Sequence, residues 1–116
     1  MTGFSTINPY TTELINHYEY MTPNELEQQV AGAATVYKVW ASEPLLKRMR
    51  FLERLAQLLR QHKPRLALLA TTEMGKPIAQ AESEVEKCAK ACDFYAASAP
   101  SMLADEVVAT EYHRSY

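Results

Sequence analysis

Gly75-Lys76-Pro77-Ile78-Ala79-Gln80-Ala81-Glu82-Ser83-Glu84-Val85 opens the stretch that decides the fold, and the pattern it begins runs on to Pro100. Ile78, Ala81, Val85, Cys88, Ala89, Cys92, Tyr95, Ala96 and Ala99 recur at three- and four-residue spacings, which lines them along one side of an α-helix. Glu82, Glu84, Glu86, Lys87 and Lys90 cover the other side, with Glu86 and Lys90 in the favourable acid-first order. Small residues on the apolar stripe allow a neighbour to approach closely. Gly75 supplies the left-handed residue that closes a preceding helix, and Lys76-Pro77 stops that helix and restarts the next.

Working back towards the N-terminus, Pro64 to Met74 reads as a short helix with Leu66, Leu69 and Ala70 inward. Pro64 separates it from a longer helix that begins beside Pro44, because proline lacks a donor and clashes with the preceding turn. The buried face of that longer helix is Leu45, Met49, Leu52, Leu55, Ala56 and Leu59. Lys47, Arg48, Arg50, Glu53, Arg54 and Arg60 are expected to stay wet, and Arg50–Glu53 has the spacing of a weak pair. Before it, Thr22-Pro23-Asn24-Glu25 is a capping box with proline at the first helical position. Leu26, Val30, Ala33, Tyr37 and Trp40 then form an apolar stripe, with Trp40 expected in the core and the helix ending near Ser42.

The two ends read as strands. Phe4, Thr6 and Ile7 and then Leu14, Ile15, Tyr18 and Tyr20 flank Asn8-Pro9-Tyr10-Thr11-Thr12-Glu13, where Pro9 fixes φ and Asn8 can close an Asx turn. Beyond Pro100, Val108, Thr110, Tyr112 and Tyr116 alternate with Val107, Ala109 and Glu111. The expected organisation is mainly α: a hairpin over 4–20, a helical layer over 22–99 and a truncated strand over 106–116. A lone terminal strand is unstable in water, so its partners are expected outside these residues.

Composition excludes several classes. A chain of 116 residues makes one small domain at most, and 47% hydrophobic with 22% charged residues suits a globular fold. A net charge of −2 gives no basic footprint for nucleic acid or anionic membrane. No apolar run approaches the roughly 20 residues of a membrane span. Met1-Thr2-Gly3-Phe4-Ser5 lacks the basic and apolar regions of a secretory signal. Two cysteines are no disulfide framework, so the cytoplasm is the expected address.

Residues capable of chemistry do not converge. Cys88 and Cys92 share a helix face without further ligands or a base nearby in sequence, and read as buried structural thiols. His17, His62 and His113 are scattered one per segment, and His62 falls where a helix C-terminus would favour its charge. Gly75-Lys76 invites a phosphate-loop reading, but Ala70 stands where the first glycine of that loop belongs. Glu82, Glu84 and Glu86 read as a solvated face, and three glycines are too few for a nucleotide-cradling loop. No catalytic, cofactor-binding or metal-binding residue is expected among the 116 residues.

A resemblance supplies what residue chemistry does not. Ile7-Asn8-Pro9-Tyr10-Thr11-Thr12-Glu13 resembles the N-P-x-T-x-E opening of the aldehyde dehydrogenase superfamily. Trp40, the leucine-rich helix from Arg48 to Leu59, and Glu73-Met74-Gly75-Lys76-Pro77 through Val85 are similar to that family in the same order. Cys92-Asp93-Phe94-Tyr95-Ala96 resembles the succinate-semialdehyde subgroup. The resemblance implies an N-terminal segment of a larger α/β enzyme with a Rossmann-type cofactor domain. It implies oxidation of an aldehyde, succinate semialdehyde in that subgroup, to a carboxylate with NAD or NADP. In such enzymes a cysteine attacks the carbonyl, hydride passes to the nicotinamide and a glutamate activates water. The family's P-W-N segment, cofactor lysine, glycine-rich turn, glutamate and cysteine motif all lie downstream, so the resemblance carries no functional residue onto this chain and implies no cofactor bound by this segment. The implied partners are the remainder of the subunit and further copies in a homo-oligomer, with this chain alone inactive. The alternative is a stand-alone helical interaction module without catalysis.

Overall fold

A computed structural model describes residues 3–106 and Val108, in the order β1 (Gly3–Ile7), β2 (Leu14–Glu19), α1 (Pro23–Ser42), α2 (Leu45–Gln61), α3 (Lys63–Met74) and α4 (Ile78–Met102). The mainly α reading with one hairpin holds. The strand expected over 106–116 lies outside the described residues apart from Glu106 and Val108.

The hairpin forms where its turn chemistry puts it. Asn8 Oδ1 accepts the N–H groups of Tyr10 (2.9 Å) and Thr11 (3.2 Å), while the Asn8 N–H donates to the Glu13 carbonyl at 2.9 Å. β1 and β2 pair antiparallel from Gly3↔Glu19 to Thr6↔Asn16; the register then slips, and Ile7 faces Leu14. Ile15 is the extra residue of a bulge, which adds twist where the loop begins. Phe4 stacks on Tyr18 across the strands, ring centroids 5.1 Å apart.

The helices start and stop as their caps dictate. The Glu25 N–H donates to Thr22 Oγ1 at 3.3 Å and the Thr22 N–H to Glu25 Oε2 at 2.8 Å, so the capping box is reciprocal. His62 separates α2 from α3, with Pro64 in the first turn of α3. Gly75 closes α3 at φ 69°, ψ 17°, its N–H donating to the Thr71 carbonyl at 2.9 Å. α4 does not stop at Pro100 but continues to Met102. Pro100 stands in the last turn, where its missing donor forfeits one bond while the Leu103 N–H still reaches the Ala99 carbonyl at 3.0 Å.

α4 packs against both α2 and α3, and the fully covered residues of this layer are all alanines: Ala56, Ala67, Ala81, Ala89 and Ala96. Alanine at the line of contact lets the backbones come close, and larger side chains ride at the margins. That geometry corrects several expectations. Ala81, Val85, Ala89, Cys92, Ala96 and Ala99 face inward, but Cys88 and Tyr95, on one flank of the stripe, and Ile78, in its first turn, are exposed. On α2, Leu55 is 44% exposed; on α3, Leu69 is exposed while Ala67, passed over in the sequence, is buried.

α1 behaves differently. It buries no residue, and Trp40, expected in the core, is 40% exposed and only meets the Phe51 ring edge-on at 5.2 Å. The chain therefore exposes 9,799 Å², against about 6,400 Å² for a compact monomer of its mass. Its radius of gyration of 20.8 Å likewise exceeds the roughly 13 Å of a compact domain this long.

Candidate functional site

The α3–α4 break gathers the two stretches that carry the family resemblance. A Cβ placed on Gly75 would lie 3.0 Å from Pro9 Cγ, so the hairpin loop sits directly on the helix break. Glycine is required twice here, by the positive φ and by this approach. Lys76 beyond it pairs with Glu84, whose carboxyl is held below the ordinary glutamate range by the hydrogen bond and charge of Lys76. A lysine so engaged, beside a one-glycine cap, marks a helix junction.

The strongest charge cluster ties α2 to α4. Arg60 donates through Nε to Glu86 Oε1 at 3.1 Å and through Nη2 to Asp93 Oδ2 at 2.7 Å, and Lys63 Nζ stands 3.7 Å from the second Glu86 oxygen. Arg60 is held above its ordinary pKa by Asp93 and Glu86, and the hydrogen bond from Arg60 lowers that of Glu86. The Glu86–Lys90 ion pair expected along the helix does not form; Glu86 accepts instead from Arg60 of α2, whose guanidinium is shared between Glu86 and Asp93. The expected Arg50–Glu53 pair also fails to form; Arg54 instead donates to Gln57 at 3.2 Å. Lys63, Ser83, Glu86, Lys87 and Lys90 line an open depression of about 440 Å³ beside this cluster, with charges of both signs.

Residues singled out for chemistry stay apart. Cys88 is exposed rather than buried, Cys92 is half-buried, and both are free thiols. His17 Nδ1 lies 2.9 Å from Ser5 Oγ across the hairpin, His62 marks the α2–α3 junction, and His113 lies outside the described residues. Among the described residues no three His, Cys, Asp or Glu side chains converge as metal ligands. Among them, too, no helix is long and apolar enough to cross a membrane.

A second concavity is apolar. Trp40, Leu45, Met49, Leu52 and Leu55 line a groove of about 350 Å³ where the end of α1 meets α2. Arg48, which the sequence assigned to the wet face, is half-buried in its wall. Its Nε is covered and has no hydrogen-bond partner. Arg48 opens the leucine-rich stretch that resembles the family, but amid Lys47, Arg50 and Arg54 its half-buried place in the groove wall is not marked by spacing.

The chain belongs to the aldehyde dehydrogenase family, which it matches over residues 1–116. It is 37% identical to a Synechocystis protein named "probable succinate-semialdehyde dehydrogenase [NADP(+)]", over 98% of this chain and 25% of that one. Among solved structures it resembles Gox0499 (29% identity, TM-score 0.93, 98% of this chain and 25% of the other). It also resembles the succinic semialdehyde dehydrogenase of Streptococcus pyogenes in complex with NADP+ (32% identity, TM-score 0.90, 96% and 25%). The chain thus spans about a quarter of the length of the relatives it matches.

Proposed function

We propose that residues 1–116 are the N-terminal segment of an aldehyde dehydrogenase that oxidises succinate semialdehyde to the dicarboxylate with NADP or NAD. In this reading the chain supplies the hairpin and helical layer beside the cofactor domain and contributes no catalytic, cofactor-binding or metal-binding residue of its own. The chemistry belongs to the remainder of the subunit, in a cytoplasmic homo-oligomer. The observation that carries the reading is the match, along nearly all of this chain and a quarter of theirs, to proteins named for that activity in both sequence and shape. The open surface supports it over a free-standing interaction module, because an unpartnered α1 leaves an apolar face in water.

Two measurements test it. The isolated chain should give no NADP+ or NAD+ reduction with succinate semialdehyde. Grafted in place of the matching quarter of the Streptococcus pyogenes enzyme, it should give a chimera that reduces NADP+ with that substrate. Turnover by the isolated chain, or a chimera that fails to fold and to reduce NADP+, would defeat the reading.

A further inference from the structure

The net charge of −2 conceals a segregation. Lys47, Arg48, Arg50, Arg54 and Arg60, five of the chain's 12 Lys and Arg residues, lie on α2, where Glu53 is the single carboxylate, so the rest of the chain is acidic. Arg60 is engaged by Glu86 and Asp93, and Arg48 is half-buried. Lys47, Arg50 and Arg54 remain in water, three and four residues apart, which sets them along one outer ridge of the helix. Phe51 lies among them, 55% exposed, with the Trp40 ring against it, and the four side chains line a hollow of about 300 Å³. Among the described residues Arg50 has no ion pair, and Arg54 donates only to the neutral Gln57. Lys47 alone meets a carboxylate, Glu43, one turn back. Like charges at these spacings repel, so an anion brought against the ridge relieves a cost within the helix.

We infer that this ridge is an interaction surface for a short acidic peptide segment of another protein, one that presents carboxylates at three- and four-residue spacing around an apolar side chain. The carboxylates meet the guanidinium forks of Arg50 and Arg54 and the ammonium of Lys47, while the apolar side chain covers Phe51. From Lys47 to Arg54 the ridge rises about 10 Å, which two turns of a partner helix match. Two other anionic partners fit less well. A membrane surface needs an apolar helix face beside the charged one, and that face of α2 is turned onto α4, with Ala56 fully covered. A long nucleic acid needs an extended basic track, whereas this ridge ends after three cations on an otherwise acidic chain.

The test uses a fluorescein-labelled helical peptide with Glu at three- and four-residue spacing around one Leu, and its Gln counterpart. Fluorescence anisotropy reads their binding to the 116-residue chain and to the chimera. Both proteins should bind the Glu peptide, less tightly as salt rises, and leave the Gln peptide free. Arg50→Gln with Arg54→Gln should weaken binding about tenfold or more. Phe51→Ala should weaken it several-fold at unchanged salt dependence. Arg50→Glu with Arg54→Glu should transfer the preference to a peptide carrying Lys in place of Glu. All three side chains are exposed, so the helical circular dichroism of each variant should match the parent, and a loss of binding is then no loss of fold. No binding by the chain, or binding that survives both arginine changes, overturns the assignment. Binding by the chain that the folded chimera lacks shows the ridge covered within the subunit, and overturns it as well. If an oligo(dT) strand or phosphatidylserine vesicles bind more tightly than the Glu peptide, and the arginine changes abolish that binding, nucleic acid or membrane is the partner and the peptide assignment fails.

Discussion

α1 and α4 are both amphipathic helices with clean three- and four-residue apolar spacing, yet one is open along its length and the other forms the centre of the helical layer. The difference lies in side-chain size. α4 brings Ala81, Ala89 and Ala96 to the line of contact, where Ala56 and Ala67 are the fully covered residues of α2 and α3. α1 offers Leu26, Val30, Val36, Tyr37 and Val39 to no comparable surface. An apolar stripe says that a face will be covered; the size of its residues says how closely, and neither says by what.

The sharpest way to break that contrast is to place a charge on each helix. Ala89→Glu buries a carboxylate at a fully covered position and should destabilise the packed layer by about 3–5 kcal/mol in chemical unfolding followed by helical circular dichroism. Val36→Asp on α1 should change the same isolated chain by less than about 0.5 kcal/mol. Equal effects at the two positions would show that α1 is packed within this chain after all.

The junction between the regions is more modest in its effect. Gly75→Ala adds a Cβ at φ 69° and presses it on Pro9, for an expected loss of about 1–2 kcal/mol. Combining it with Pro9→Ala, which removes the contacting Cγ, should recover the steric part and leave the conformational part. No recovery would mean that the hairpin loop does not rest on the helix break. At the start of α1, Thr22→Ala removes the capping hydroxyl and should cost about 1 kcal/mol in unfolding experiments. Because α1 lacks tertiary support, that loss should appear as fraying of the first turn, read by amide hydrogen exchange at Leu26 and its neighbours.

Acid should act most gently, through Glu25, Glu84 and Glu86, whose pKa values are lowered by Thr22, Lys76 and Arg60 respectively. A depressed folded-state value makes the ionised form the stabilising one. The contribution is therefore complete above the ordinary glutamate value of 4.5 and fades as pH falls through the lowered values. Helical signal should decline below that point, and the Arg60→Met variant should show a smaller decline. A pH profile identical in that variant would remove Glu86 from the account.

Much of this was legible in the residues themselves. Thr22-Pro23-Asn24-Glu25 specified a cap, Gly75 a left-handed stop and Asn8 an Asx turn, because each depends on bonds reaching only a few positions along the chain. The errors fall where distance along the chain is large. Glu86 pairs with Arg60 rather than Lys90, Leu55 stays exposed beside the covered Ala56, and Cys88 slips to the flank of its stripe. Periodicity defines a sector of roughly a third of the helix, wider than the line along which two helices touch.

Family membership can be read from residue patterns, since Asn8-Pro9 and Gly75-Lys76-Pro77 are local features that the backbone needs in any surroundings. Apart from the run of α4 past Pro100, the sequence by itself determined where helices begin, end and turn, because caps, prolines and a positive-φ glycine act over one turn of chain. Only the tertiary structure decided that the hairpin loop rests on Gly75, that alanines form the seam, and that Arg48 faces an apolar groove without an acceptor. Those outcomes depend on how closely separate helices approach, a distance that no spacing along one of them encodes.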